Sequence, residues 1–337
     1  MRIGLCLSGN IPMREVIESA RIAEAGGWDS IWIGEDYFYR GGVTMAAAVA
    51  VETRRIGIGL GIMTPLPRHP ALMAMEIGAL QELSDGRIIP GVGAGVGVWM
   101  RQMGFDYSSP LTVMREGIDL TRRLLAGETV TAAGRVFSLD AVRLQFPTAA
   151  TPVLLGGVGP KALRLAGEIA DGTVLSVLAG PEYVRWARER IREGQQTAER
   201  SDKPHLVVAY LFLALASTRA QARDLVRPIV AEYLAGGGVN PLTRAAGMPD
   251  ELVNELHAEY LSGRVPVDRL DDDIVDRVAA AGPGAHCAQW IAELGAAGAD
   301  VVAVLPVPLD HASDAVRRIG EEVLPLLKTG PESWAAS

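Results

Sequence analysis

Short apolar runs alternate along the chain with longer stretches whose apolar positions recur every three or four residues. Residues 3–7, 30–34, 56–61, 87–92, 152–155, 170–176, 205–215 and 300–305 form the short runs, and their brevity and Gly, Pro or Asp boundaries predict strands. Between them, helical spacing predicts helices over 12–25, 70–83, 113–125, 162–169, 182–198 and 311–327. In the first, Met13, Val16, Ile17 and Ala20 share one face. Residues 128–145 are polar and alternating, which predicts a small hairpin. Residues 218–297 carry an almost wholly helical pattern, broken at Gly236-Gly237-Gly238, near Gly263 and at Gly282-Pro283-Gly284. Repeated strand–helix units predict a parallel sheet, and eight strands suffice for a closed (β/α)8 TIM barrel. An open doubly wound sheet is the alternative. Against it, the cluster from Gly91 to Gly97 has Val96 or Val98 where a dinucleotide fingerprint needs its third glycine. We therefore expect one barrel over residues 1–328, insertions at 128–146 and within 218–297, and a flexible tail at 329–337.

Composition narrows the function classes. A chain of 337 residues fits one barrel with insertions, and 49% hydrophobic residues supply its core. A net charge of −8 argues against a nucleic-acid or membrane-surface role. No apolar run is long enough to span a bilayer. The sequence opens directly on the strand-like Arg2-Ile3-Gly4-Leu5 with no signal-peptide pattern. Cys6 and Cys287 are the only cysteines and lie far apart, so no disulfide framework is expected and the cytoplasm is the simplest location. No His, Cys and carboxylate set has metal spacing, so no metal is expected.

The richest chemical signal is Gly156-Gly157-Val158-Gly159-Pro160-Lys161, set between a short strand and an amphipathic helix. Glycines there let a ligand approach the backbone, and free amides at a helix start suit a phosphate. Gly156, Gly157, Val158 and Gly159 are the expected donors, with the Ser176 hydroxyl from the next strand end. A plain tight turn is the alternative, but barrel position and glycine density favour the phosphate seat.

Further motifs follow in a fixed order. Ser30-Ile31-Trp32-Ile33-Gly34-Glu35-Asp36, Gly59-Leu60-Gly61-Ile62-Met63-Thr64-Pro65 and Arg68-His69-Pro70 come first. Leu83-Ser84-Asp85-Gly86-Arg87, Gly91-Val92-Gly93-Ala94-Gly95, the phosphate-seat run and Ala170-Asp171-Gly172 complete the set. Across nearly the whole chain this pattern resembles the bacterial-luciferase-like superfamily, most of all the branch holding methylenetetrahydromethanopterin reductase and related deazaflavin-dependent oxidoreductases. The resemblance implies a barrel whose open pocket, at the C-terminal strand ends, holds an 8-hydroxy-5-deazaflavin (coenzyme F420) or FMN.

The same resemblance implies roles for individual residues. A non-prolyl cis peptide between Gly61 and Ile62 would back the ring. Glu35 and Asp36 would lie at the pocket as candidate catalytic acids, with Asp36 where relatives often hold a histidine; solvated loop acids or helix caps are the alternative. Val96 stands where sugar-phosphate dehydrogenases of the superfamily place a glutamate, so their acid chemistry is not expected. Gly93 and Gly95 would either admit the cofactor or relieve crowding at a strand end. Arg68-His69-Pro70 would lie beside the cofactor, or start a helix with Arg68 at the surface. Trp99, Met100 and helices within 218–260 are candidates for the substrate wall.

Hydride transfer through coenzyme F420, to or from a small organic substrate, is the expected activity. An FMN-dependent monooxygenase fed by a separate flavin reductase is the alternative, and a flavin-binding barrel without catalysis stands third. A homodimer is expected on resemblance alone.

Overall fold

The computed structural model describes residues 1–148 and 151–327. Its strands are β1 (Arg2–Leu7), β2 (Ser30–Ile33), β3 (Gly57–Met63), β4 (Ile88–Gly93), β5 (Val130–Ala133), β6 (Ser138–Val142), β7 (Leu154–Gly156), β8 (Gly172–Leu175), β9 (Leu206–Leu215), β10 (Ala279–Gly282) and β11 (Val301–Val307). The helices are α1 (Met13–Ala25), α2 (Gly42–Glu52), α3 (Pro70–Leu83), α4 (Gly97–Gln102), α5 (Pro110–Leu125), α6 (Pro160–Ile169), α7 (Pro181–Thr197), α8 (Arg219–Gly237), α9 (Pro241–Ala245), α10 (Asp250–Leu261), α11 (Asp272–Val278), α12 (Gly284–Ala297) and α13 (Ala312–Glu322). Parallel pairing runs β11-β1-β2-β3-β4-β7-β8, and β9 closes the circle by pairing with both β8 and β11. The architecture is the (β/α)8 barrel that the strand count predicts. β5 and β6 form an antiparallel hairpin outside the barrel.

Strand alternation separates two cores. Outward residues such as Leu5, Ile31, Ile58 and Val304 pack under the helices. Inward residues, including Cys6, Trp32, Tyr210 and Phe212, join a second cluster that continues into α8, α10 and α11 through Val226, Leu234, Leu256 and Val275. The Gly-x-Gly-x-Gly pattern of β3 has its physical cause here. Ile58 and Leu60 face out, and the alternate glycines face in, leaving room for large rings. A Cβ on Gly59 would lie 2.1 Å from the Trp32 ring.

At the N-terminal face, three aspartates each precede one strand and accept an amide from its neighbour. Asp29 takes Ile3 N–H (2.6 Å), Asp171 takes Val153 N–H (2.9 Å) and Asp300 takes Val207 N–H (2.8 Å). Arg87 donates to the carbonyls of Ala50, Thr53 and Ile56. The motifs around Asp171 and Arg87 therefore fasten the end of the barrel that carries stability rather than chemistry.

Several sequence expectations need correction. Residues 279–282, read as part of a helical region, are β10. They pair with Phe212–Leu215 on the edge of β9 whose first half holds β8. α2 and α4 carry no counterpart among the expected helices. The last helix stops at Glu322, and Pro325 follows in a short 3-10 turn that an α-helix would not tolerate. The tail expectation at 329–337 lies outside the described residues.

Candidate active site

The C-terminal ends of β2, β3, β4, β7 and β8 converge on one mouth. At its floor the Gly61–Ile62 peptide is cis. Ile62 extends its side chain across β4 and β7: a Cβ on Gly93 would fall 2.0 Å from Ile62 Cδ1, and one on Gly156 would fall 2.6 Å from Ile62 Cγ2. Gly93 and Gly156 are thus glycines because Ile62 fills their space. Gly61 has a different neighbour. A Cβ there would lie 1.8 Å from Tyr210 Oη, and that hydroxyl donates to the Gly61 carbonyl at 3.4 Å. Gly95 adopts φ +75°, and Tyr107 donates to its carbonyl at 2.9 Å, fixing the turn after β4.

The two candidate acids have different surroundings. Both Glu35 oxygens are engaged: Oε1 accepts from the Gly42 amide (3.0 Å) and Arg68 Nη2 (3.1 Å), and Oε2 from Arg68 Nη1 (2.7 Å). Arg68 also meets Glu76 at 2.7 Å. The Glu35 and Arg68 side chains are only 8% and 19% exposed. This two-point pair ties the loop after β2 to the turn before α3. Arg68 is therefore not the surface cation of the plain alternative. His69 caps α3, its Nδ1 accepting from Ala71 N–H at 3.2 Å, and Pro70 takes the first helical position. Asp36 holds a single weak bond, from Ser8 Oγ at 3.4 Å. Burial raises its carboxyl above the usual range; the Ser8 bond opposes this and the Glu35 charge adds to it.

Asp36 anchors a cluster that sequence reasoning missed. Burial first, and then Asp36, push the Cys6 thiol up; the buried Tyr210 hydroxyl is raised by the same surroundings. Tyr233, on α8, is also raised by burial and then by Asp36. Its ring meets Phe212 at 5.2 Å, and Tyr37 meets Trp99 at 6.4 Å. Phe38 and Tyr39 are exposed beside them. Met100, a candidate for the substrate wall, is instead fully buried, with its Cε packed toward Gly95.

Opposite Asp36, α6 starts at Pro160 with no side-chain cap on Gly159. One of the four expected amide donors is engaged elsewhere, and another belongs to the last residue of β7. Gly157 N–H already bonds the Val174 carbonyl at 3.3 Å, and Gly156 sits in register with Gly93 and Val174 in the sheet. Among the described residues, the amides of Val158, Gly159, Lys161 and Ala162 have no partner, and neither does the half-buried Ser176 hydroxyl. Tyr183 donates to the Val158 carbonyl at 2.7 Å and holds the turn open. An exposed donor set at a helix N-terminus is suited to an anion.

Residues 1–301 match the luciferase-like monooxygenase family. The chain belongs to that family. It is 30% identical over 335 residues to the 5,10-methylenetetrahydromethanopterin reductase of Archaeoglobus fulgidus, covering 97% of this chain and 100% of the relative. It is 30% identical over 283 residues to the F420-dependent glucose-6-phosphate dehydrogenase of Nakamurella multipartita, covering 78% and 82%. The solved coenzyme F420 dependent tetrahydromethanopterin reductase of Methanopyrus kandleri superposes with a TM-score of 0.87 at 25% identity, covering 97% and 99%. Like these luciferase-like relatives, the chain is an oxidoreductase. Among its described residues no His, Cys, Asp and Glu group could hold a metal ion, and no helix is long and apolar enough to cross a membrane.

Proposed function

We propose that the chain uses coenzyme F420 to move hydride to or from a small organic substrate at the barrel mouth. The observation that carries this reading is the unpartnered donor set of Val158, Gly159, Lys161, Ala162 and Ser176 beside the apolar Ile62 floor. That combination fits a planar ring bearing a phosphate. The F420-dependent relatives from Methanopyrus kandleri and Nakamurella multipartita favour the deazaflavin over FMN. When bound, the coenzyme supplies the carbon that gives or takes hydride. The chain contributes position. The α6 amides and Ser176 hold the phosphate, and Ile62 buttresses the ring. Asp36 offers a carboxyl at the ring edge. Glu35 orders Arg68 and the β2 loop rather than carrying a proton, because both its oxygens are occupied. Tyr37, Phe38, Tyr39, Trp99 and Tyr233 wall a site for an unsaturated substrate and exclude water. A second copy of the chain completes the particle, supported by an apolar stripe on α3.

Parallel equilibrium binding of FMN and coenzyme F420, each oxidised and reduced, tests this reading. Selective tight binding of the deazaflavin supports it. Preference for reduced FMN transfers the chain to the monooxygenase class, with a separate flavin reductase as partner. Binding of neither overturns the phosphate seat.

A further inference from the structure

A cavity of about 300 Å³ opens on the face of the barrel away from the mouth. Its position follows from its lining. His205 immediately precedes β9, whose first residue, Leu206, is in register with Gly172 at the start of β8. The other wall is α7 and the turn after it, with Arg188, Arg192, Gln195, Ser201 and Lys203. No carboxylate lines the cavity. We propose that it is a binding site for a small polyanion of the phosphate or pyrophosphate class, separate from the seat at α6.

Three features support this assignment. Arg188 is pre-set: it donates to the Gly298 carbonyl (2.6 Å), the His205 carbonyl (3.1 Å) and Asp300 Oδ2 (2.6 Å). Two of the five guanidinium N–H groups then remain for a ligand. Asp300 balances the Arg188 charge, but Arg192 and Lys203 have no carboxylate partner among the described residues. The Gln195 amide donates to the carbonyls of Arg200 (3.4 Å) and Lys203 (3.0 Å), which fastens the turn that carries Lys203 onto α7. His205 is bonded to Thr173 Oγ1 at 2.8 Å. Burial, followed by the Arg188 and Arg200 charges, lowers its pKa to about 4, so the neutral ring adds no charge. Two exposed cations without carboxylate partners at the rim of the cavity, above the part-buried Arg188, give a local positive field on a chain of net charge −8, and this favours a compact polyanion over a neutral ligand.

Calorimetric titration of pyrophosphate into the full chain, at fixed ionic strength, decides the matter when run beside the Arg192→Glu/Lys203→Glu variant. The wild type is expected to show a saturable site that is about 30-fold or more weaker in the variant, while coenzyme binding is unchanged. A second site that persists in both proteins belongs to the α6 amides and leaves the proposal standing. Absence of saturable binding, or identical isotherms for the two proteins, overturns it. If the charge-reversed protein does not fold, the single Arg192→Gln and Lys203→Gln variants replace it, and each must weaken the same site severalfold.

Discussion

Asp36 has only the 3.4 Å bond from Ser8 to offset its burial, and the neighbouring Glu35 charge works against ionisation. Its folded pKa is therefore raised. The sign follows directly: below the ordinary aspartate value both folded and unfolded chains are protonated, and the group costs nothing. As pH rises through the raised folded value, the buried charge forms and stability falls. Asp36→Asn keeps the acceptor for Ser8 and removes that charge. Its Tm should come closest to the wild type below the ordinary aspartate value, at about pH 3, and exceed it at pH 7 by on the order of 1–2 °C. Thermal melts across this window check the claim, and a pH-independent difference would show that the carboxylate is solvated. Cys6 shares the environment: burial and the adjacent Asp36 hold its thiol protonated, so it is an inert filler of the barrel interior.

At the level of elements, the floor of the site is made by one contact across the barrel, between β3 and β9. Gly61→Ala would drive its methyl to within 1.8 Å of Tyr210 Oη and should destabilise the chain by about 1–3 kcal/mol. Tyr210→Phe removes that oxygen and leaves the ring carbon 3.0 Å away. The double variant should recover part of the loss, with a coupling of about 1 kcal/mol in denaturant melts; strict additivity would mean that the two residues do not meet. This contact was not legible in the sequence, because its partners are 149 positions apart. The Glu35–Arg68 pair was hidden for the same reason, although both residues had been singled out. β10 was missed on different grounds. Ala-Ala-Ala-Gly has no strand propensity of its own and is extended only because Phe212–Leu215 offers a free edge. What could be read were features set by neighbours in sequence: eight apolar runs, Pro70 opening α3, and the glycine turn before α6. Gly157 sits at that limit, since spacing placed it in the turn but could not reveal the Val174 carbonyl that takes its amide.

The whole molecule leaves an apolar surface uncovered. On α3, Leu72, Met75, Ala79 and Leu83 are exposed at helical spacing, opposite the buried Met73, Ile77 and Leu80. Val51, on the neighbouring α2, is exposed too, and Phe146 is 84% exposed after the hairpin, with its carbonyl 3.9 Å from where a Gly78 Cβ would lie. An exposed apolar stripe of this kind suits a two-fold interface, where each residue meets its own symmetry partner. Glutamate at both Leu72 and Met75 would set like charges against one another across such an axis. These side chains already face water in the single chain, so the substitutions should leave its fold and Tm close to wild type if it were a monomer. We expect the double variant to sediment as a monomer where the wild type sediments as a dimer, and its Tm to lose the concentration dependence that a dimer imposes. A wild type that already sediments as a monomer at micromolar concentration, with coenzyme bound, would remove the dimer and leave the stripe without an occupant.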